Sequence, residues 1–206
     1  ELIGTYRLTT KVRRTSDEYG FMLKNFLDRS NVHEKQIEAV IVSSVVPKVM
    51  HSFTNGIKKF VGIDPLIVGP GIKSGISVQL ENPRNVGADR IADCAGAFSE
   101  HGGPILVADF GTATTYDYVD ENGCFKAGAI GVGIETGANA LWGQTAQLPE
   151  IEIKRPKTIL ARNTQTEMQA GVFYQFLGGV EYTIAQFKKE VGKDLKVIAT
   201  GGLGRI

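Results

Sequence analysis

Three strand-forming runs between residues 104 and 132 constrain the fold more than any other part of the sequence. The run PILVADF is apolar enough for a buried strand, and TTYDYV and CFKAGAI follow it on either side of DENG. An Asn-Gly pair between two such runs is a strong hairpin signal. The segment therefore predicts a sheet that contains antiparallel pairs.

Helical patterns alternate with further strand-forming runs along the rest of the chain. We expect strands over 2–10, in 37–47, in PLIVG and in LKVIAT. We expect helices in TSDEYGFMLKNFLDRS, after Pro47, in RIADCAGAFSEHGG and in IETGANALWGQTAQL, with one long helix or a broken pair over 164–192. The β-branched run 37–47 predicts a strand buried on both faces. Together these patterns predict an α/β fold with mixed sheets.

Composition excludes several classes of partner. The chain has 206 residues, enough for one large domain or two small ones, and its 23 basic and 22 acidic residues give a net charge of +1. Nucleic acid is therefore not expected as the main partner. The sequence contains no run of about 18 apolar residues, so it predicts no membrane span. Cys94 and Cys124 form no disulfide framework, which favours the reducing cytoplasm.

A carboxylate and a group of hydroxyls lie where the first of these strands turns back. Asp109 ends the buried run, Gly111 permits a sharp turn, and Thr112, Thr114 and Thr115 follow. A buried carboxylate must meet a cation or backbone N–H groups. The group predicts a cradle for phosphate and a cation. The alternative is a tight hairpin in which Thr serves only its β propensity.

Four segments of the chain resemble the type III pantothenate kinases, which belong to the superfamily of acetate and sugar kinases, Hsc70 and actin. These segments are SSVVP, VGADR, DFGTATTYD and TGG. The resemblance spans essentially the whole chain. It implies an actin-like ATPase fold of two ribonuclease H-like halves with mixed sheets, 1–103 and 104–206, and a site in the cleft between them.

The resemblance implies that Asp89 is the general base for the attacking hydroxyl. Positioning and electrostatics carry most of the catalysis in phosphoryl transfer, so such a base needs no raised pKa. The alternative is a helix N-cap, in which Asp89 accepts backbone N–H groups, and both roles can hold. Arg90 would offer its planar fork to a carboxylate or phosphate, although a surface ion pair would explain it equally.

Other residues are implied to contact the substrate or the nucleotide. Gly87 and Ala88 leave room for pantothenate, and Thr164 matches a family position that contacts it, although Thr164 could also cap the following helix. Leu80 stands where many members carry Tyr, and Val132 where a Pro is common. The nucleotide contacts implied by the phosphate and adenosine motifs are Gly111, Thr112, Thr114, Gly201 and Gly202.

The function implied by the resemblance is ATP-dependent phosphorylation of the primary hydroxyl of pantothenate to 4'-phosphopantothenate, the first step of coenzyme A biosynthesis. Mg²⁺ would accompany ATP, and Asp109 would bind K⁺ or NH₄⁺. One alternative is a non-catalytic relative that acts as a nucleotide-binding transcriptional accessory factor. Another is a phosphatase of the same superfamily, which would leave Gly-Ala-Asp-Arg unexplained. The presence of Asp89, Arg90 and Asp109 favours the enzyme.

Two further expectations concern the assembly and the ends of the chain. The segment 166–191 carries more aromatic residues than one core face needs, which favours a homodimer; they are Phe173, Tyr174, Phe176, Tyr182 and Phe187. The strand and helix patterns are interrupted at both ends of the chain. We therefore expect a longer protein, in which the family's first phosphate loop precedes Glu1 and a further segment follows Ile206.

Overall fold

The computed structural model of the protein describes residues 2–10, 12–192 and 194–204. The chain divides into two compact units. The first comprises the residues up to Ile72 with the segment Arg84–Ala92, and the second comprises Lys73–Pro83 with the chain from Asp93 onward. The predicted ribonuclease H-like halves, 1–103 and 104–206, and the cleft between them stay predictions.

The first unit is built from helices and a two-stranded parallel sheet. Its elements are α1 (Ser16–Arg29), a 3₁₀ turn (Glu34–Gln36), β1 (Ile41–Val42), α2 (Pro47–Val61), β2 (Leu66–Ile67), a 3₁₀ turn (Pro83–Asn85) and the start of α3 (Ala88–His101). β1 and β2 pair only with each other among the described strands.

The helix ends in the first unit follow local signals, as predicted. Thr15 Oγ1 accepts from the Glu18 N–H at 3.2 Å, and the Glu18 carboxylate accepts from the Thr15 N–H at 2.6 Å, which is a capping box. Pro47 begins α2, and Gly62 ends it with a φ of +79°. A Cβ at Gly20 would overlap the Phe60 ring, so glycine lets α1 and α2 approach closely.

Two strand predictions in the first unit are wrong in extent. Residues 2–9 form no strand, and only Ile41–Val42 of the run 37–47 does. A strand needs a hydrogen-bonding neighbour, and in the described sheet β1 has β2 alone. Val42 is 7% exposed but Ile41 is 65% exposed, so this strand is buried on one face and not on both.

The second unit contains a mixed five-stranded sheet. Its strands are β3 (Ser77–Val78), β4 (Ile105–Phe110), β5 (Ala113–Val119), β6 (Cys124–Val132) and β7 (Lys196–Thr200), in the order β3-β6-β5-β4-β7. β4, β5 and β6 are antiparallel neighbours, whereas β7 pairs parallel to β4 and β3 parallel to β6. The hairpin and the α/β fold with a mixed sheet are confirmed.

Two helices of the second unit follow the hairpin in sequence, α4 (Ile134–Gly143) and α5 (Thr164–Val191). α5 is one helix, and it covers one face of the sheet, where Leu106, Ala108 and Tyr116 pack with Val180 in a buried cluster. Because side chains alternate along a strand, Val107 and Asp109 point to the other face. No helix of the described residues is long and apolar enough to cross a membrane.

The β5–β6 turn provides a first prediction, about stability. Asp120 Oδ1 accepts from the N–H groups of Asn122, at 2.9 Å, and Cys124, at 2.8 Å. Asp120→Ala would leave both groups without this partner, so we expect a loss of about 1–2 kcal/mol of unfolding free energy. Urea unfolding measures it. Glu121→Ala, an exposed change in the same turn, is the control and should change little.

The loss of unfolding free energy in Asp120→Ala is expected to depend on pH, because the Asp120 carboxylate titrates. Burial raises the pKa of Asp120, but the N–H groups of Cys124 and Asn122 and the Lys126 ammonium outweigh burial, so the pKa lies below its ordinary value. A lowered pKa in the folded state stabilises the fold above the unfolded pKa, and the stabilisation disappears as pH falls through the folded pKa. The difference between wild type and Asp120→Ala should therefore shrink below about pH 4. A constant difference down to pH 2 would contradict this assignment.

Candidate active site

Asp109 and Gly201 come together at the carboxyl ends of β4 and β7. Asp109 pairs with Thr115 of β5 on one side and with Thr200 of β7 on the other. Gly201 follows with a φ of +96°, and a Cβ there would lie 2.4 Å from Asp109 Oδ1 and 2.5 Å from Phe110 N. Only a glycine lets the chain pass this close to the carboxylate. Gly202 is exposed, and a Cβ on it would meet open space.

The loop formed by Gly111 and Thr112 lies against the start of α4. The Thr112 carbonyl accepts from the Gly133 N–H at 3.2 Å and from Thr136 Oγ1 at 2.6 Å. A Cβ at Gly133 would lie 2.3 Å from Gly111 O and 2.4 Å from Thr112 O. The first N–H groups of a helix lack partners within it and suit an anion. These two hydrogen bonds hold the loop against the first turn of α4.

Gly133 and Thr136 were not among the residues predicted from the sequence. Their signal is the glycine-rich run GAIGVGIETG directly before a helix, an arrangement that suits phosphate binding. The run shows that some glycine must approach another backbone segment. The glycine that lies against the β4–β5 loop is decided by the position of that loop, which in turn depends on the register of the sheet.

The threonines of the hairpin do not converge on one face of the sheet. Thr115 lies opposite Asp109 and shares its face. Thr114 lies opposite Phe110, whose ring contacts Phe176 of α5 with centroids 6.0 Å apart. Within the part of the chain that the structure describes, the Thr114 hydroxyl is buried without a hydrogen-bond partner. The geometry favours the structural alternative for Thr114, whose contact with nucleotide stays a prediction.

The Gly-Ala-Asp-Arg segment leads into the first turn of α3, which begins at Ala88. Asp89 is exposed, and its Oδ1 accepts from the Arg90 N–H at 2.8 Å. A Cβ at Gly87 would lie 2.4 Å from Asp89 Oδ1 and 3.4 Å from Val45 Cγ1, so glycine makes room for the carboxylate beside the SSVVP segment. The helix begins at Ala88, one residue before Asp89. The N-cap alternative for Asp89 is therefore wrong in position, although the carboxylate does bind a backbone N–H.

The remaining predicted residues are described by their own surroundings. Ala88 is buried, Arg90 and Leu80 are half-buried, and Thr164 is exposed at the first position of α5. Asn163 caps α5 by accepting from the Thr166 N–H at 3.0 Å, so the capping alternative for Thr164 is wrong. The predicted substrate contacts of these residues stay predictions.

Asp109 and Thr115 lie side by side on β4 and β5, and the absence of a side chain at position 201 lets the chain pass close to the Asp109 carboxylate. Within the parts of the chain that the structure describes, no group of three or more His, Cys, Asp or Glu side chains could hold a metal ion. A divalent ion here would take most of its ligands from phosphate oxygens and water, which is the usual behaviour of Mg²⁺.

These features define an α/β protein with a mixed sheet. Residues 1–186 match the sequence model of type III pantothenate kinase. The chain is 60% identical over 205 residues to the type III pantothenate kinase of Bifidobacterium adolescentis, covering 100% of this chain and 80% of that protein. It is 43% identical over 206 residues to that of Listeria monocytogenes, with 100% and 80% covered. The chain belongs to the type III pantothenate kinase family.

A solved structure shares the fold. It is a conserved protein of Campylobacter jejuni, assigned to the Baf family of transcriptional activators, with a TM-score of 0.52 and 19% identity over 89% of this chain and 74% of that one. At this identity the likeness shows the fold alone, and it carries no argument for a transcriptional role.

Proposed function

We propose that this chain transfers the γ-phosphoryl group of ATP to the primary hydroxyl of pantothenate and so forms 4'-phosphopantothenate, the first step of coenzyme A biosynthesis. The observation that carries this function is 60% identity to a type III pantothenate kinase along the whole chain. The transcriptional accessory factor has no comparable support, and the phosphatase leaves Gly-Ala-Asp-Arg without a role.

Asp89 is the proposed base. Its Oδ1 is held by the Arg90 N–H, and Oδ2 has no hydrogen bond within the described residues. The anchored carboxylate can therefore accept the proton of the primary hydroxyl through Oδ2 as the phosphoryl group is transferred. Arg90 offers a planar fork to the pantothenate carboxylate or to phosphate. Gly87, Ala88, Leu80 and Thr164 are the other proposed substrate contacts.

The nucleotide side of the proposal lies on the second unit. Gly111, Thr112 and Thr114, with the first turn of α4, are proposed for the phosphates, and Gly201 and Gly202 for the adenosine. Mg²⁺ bound with ATP would neutralise part of the phosphate charge. Asp109 is proposed to bind a monovalent cation, K⁺ or NH₄⁺, beside the phosphates.

A coupled assay of ADP release tests the function. Purified chain would be given ATP and Mg²⁺ with pantothenate, with each of several sugars, or with no acceptor. We expect ADP release that depends on pantothenate, together with a phosphorylated product seen by mass spectrometry. Equal release with sugars, or release without an acceptor, would overturn the assignment of the substrate.

We also propose a homodimer that forms through α5. Phe176 and Phe187 of this helix pack against the sheet, but Tyr182 is 68% exposed, and Tyr174 and Leu177 of the same helix are exposed as well. Exposed apolar groups grouped on one helix suit a self-complementary interface. Within the described residues neither Cys94 nor Cys124 forms a disulfide, which suits a reducing compartment, and we propose that the enzyme acts in the cytoplasm.

Sedimentation velocity at micromolar concentration tests the interface. The wild type should sediment as a dimer, and Tyr182→Glu should shift the population toward monomer because it places a charge in the desolvated contact. Lys189→Ala, an exposed change on the same helix, should leave the dimer intact. A wild type that sediments as a stable monomer would remove the proposal.

A further inference from the structure

Gln79 is a side chain that the proposed function does not use, and it binds β6 at the point where β3 ends. β3 (Ser77–Val78) is a two-residue strand that pairs with Cys124 and Phe125 of β6. The Gln79 N–H continues this pairing by donating to the Phe125 carbonyl at 2.9 Å. Leu80, a proposed substrate contact, is the next residue, so whatever holds Gln79 also sets the position of Leu80.

The Gln79 side chain makes two further hydrogen bonds to β6. Its Nε2 donates to Cys124 Sγ at 3.2 Å, and its Oε1 accepts from Lys126 Nζ at 2.5 Å. The parallel register of β3 and β6, continued by one step, places residue 79 opposite residue 126, so that the two side chains share a face of the sheet. The amide therefore uses both a donor and its acceptor on one strand.

Lys126 is held in turn by the β5–β6 turn. Its Nζ lies 3.7 Å from Asp120 Oδ2, and the Asp120 side chain is only 13% exposed. The other oxygen of this carboxylate is fixed by N–H groups of the turn. The ammonium thus lies between a fixed carboxylate and the Gln79 amide. A hydrogen bond from a charged donor is stronger than one between neutral groups, so Lys126 contributes the stronger of the two bonds to the Gln79 side chain.

These side-chain bonds compensate for the shortness of β3. Strands usually have about three to ten residues, and after β3 the chain passes through 79–82 into the 3₁₀ turn Pro83–Asn85. All these residues belong to the second compact unit up to Pro83. Two backbone pairs alone would leave the segment after Val78 weakly held. The Gln79 side chain adds anchors directly before the residue that is proposed to contact substrate.

We infer that Gln79 and Lys126 are positioning residues, which hold the end of β3 against β6 so that Leu80 is in place before pantothenate binds. This inference rests on the proposed function and on the proposed contact of Leu80 with the substrate. When the bond between the two side chains is lost, the segment leaves this position in part of the free protein. The apparent affinity for pantothenate then falls by the factor by which the competent population falls.

Kinetics and binding distinguish this role from a role in the chemical step. Gln79→Ala and Lys126→Met should each raise the KM for pantothenate, and its Kd measured by calorimetry, by about 3–10-fold, the usual worth of one hydrogen bond. The bound complex restores the position of Leu80, so kcat at saturating pantothenate and the KM for ATP should stay near wild type. Because both residues act through one bond, the double variant should show no more than the larger single effect.

Conservative variants and hydrogen exchange provide the controls. Lys126→Arg keeps a cationic donor and Gln79→Glu keeps an acceptor oxygen for it, so both should return the KM for pantothenate toward wild type. Gln147→Ala, an exposed glutamine in the loop after α4, should change no parameter. In Lys126→Met without substrate, the backbone amides of 77–80 should exchange faster than in wild type, because the end of β3 opens more often.

The outcomes separate the inference from the proposed function. Faster exchange or a lower melting temperature with a wild-type KM for pantothenate would make the two residues structural only and overturn the inference. A raised KM without faster exchange would also overturn it, because the residues would then act by direct contact, as would additive effects in the double variant. A wild type that phosphorylates another acceptor and not pantothenate would refute the proposed function. In that case a raised KM for that acceptor in both variants supports the positioning role, and an unchanged KM overturns it.

Discussion

Replacing Asp89 by Asn is expected to lower kcat by about 10²–10⁴-fold, the usual contribution of a positioned base, while the affinity for ATP stays within a few-fold. The amide oxygen can still accept the Arg90 N–H bond that Oδ1 accepts at 2.8 Å, so the first turn of α3 is preserved. The amide cannot take a proton from the hydroxyl. Turnover with saturating pantothenate and calorimetric binding of an ATP analogue separate the two effects.

Gly87→Ala displaces the same carboxylate without changing its chemistry, and kcat at saturating pantothenate separates this displacement from weaker binding of pantothenate beside position 87. The new Cβ would lie 2.4 Å from Asp89 Oδ1, so the carboxylate must move, and a displacement of about 1 Å can cost about 10²-fold in rate. Gly96→Ala is the matched control, because it lies on the same helix and its Cβ would meet nothing within 4 Å. If Asp89→Asn keeps nearly wild-type turnover, Asp89 only stabilises the start of α3.

The parts of the fold that the sequence predicted well are those decided by neighbouring residues. The capping box of Thr15 and Glu18, Pro47 at the start of α2 and the Asn-Gly hairpin each depend on a few adjacent side chains. The strand predicted over 2–10 failed because a strand exists only with a partner, and the pattern of one segment does not show whether a partner is present.

In the candidate site, too, some features depend on neighbouring residues and could be predicted, whereas others depend on distant parts of the chain. Asp109 could be picked out because it ends a buried run, and Asp89 because its segment, Gly-Ala-Asp-Arg, resembles a motif of the family. The sequence predicts the three hairpin threonines as one cluster, but strand alternation separates Thr114 from Thr115. Because successive side chains of a strand point to opposite faces, this separation could be predicted from the sequence alone. Which face carries Asp109 depends on the register between β4 and β5, and that register is not local.

Gly201→Ala is expected to cause a second large loss of activity, after that of Asp89→Asn. Its Cβ would lie 2.4 Å from Asp109 Oδ1 and 2.5–2.6 Å from the backbone N and O of Phe110. Backbone atoms in a central strand cannot move aside cheaply, and alanine is strained at a φ of +96°. The Asp109 carboxylate must therefore shift, so kcat/KM for ATP should fall by about 10²-fold and the dependence on K⁺ should flatten.

Gly202→Ala separates crowding of the nucleotide from displacement of Asp109. A Cβ at this position meets no protein atom within 4 Å, so Asp109 should stay in place and the K⁺ dependence should be unchanged. If adenosine lies against Gly202, the KM for ATP rises while kcat is retained. Melting temperatures of both variants show how much of any loss is unfolding.

A Gly201→Ala variant that is stably folded, with wild-type kcat/KM and K⁺ dependence, would show that the position of Asp109 beside Gly201 is irrelevant to catalysis. If both variants lose their K⁺ dependence equally, binding of the cation depends on the bound nucleotide and not on the position of the Asp109 carboxylate.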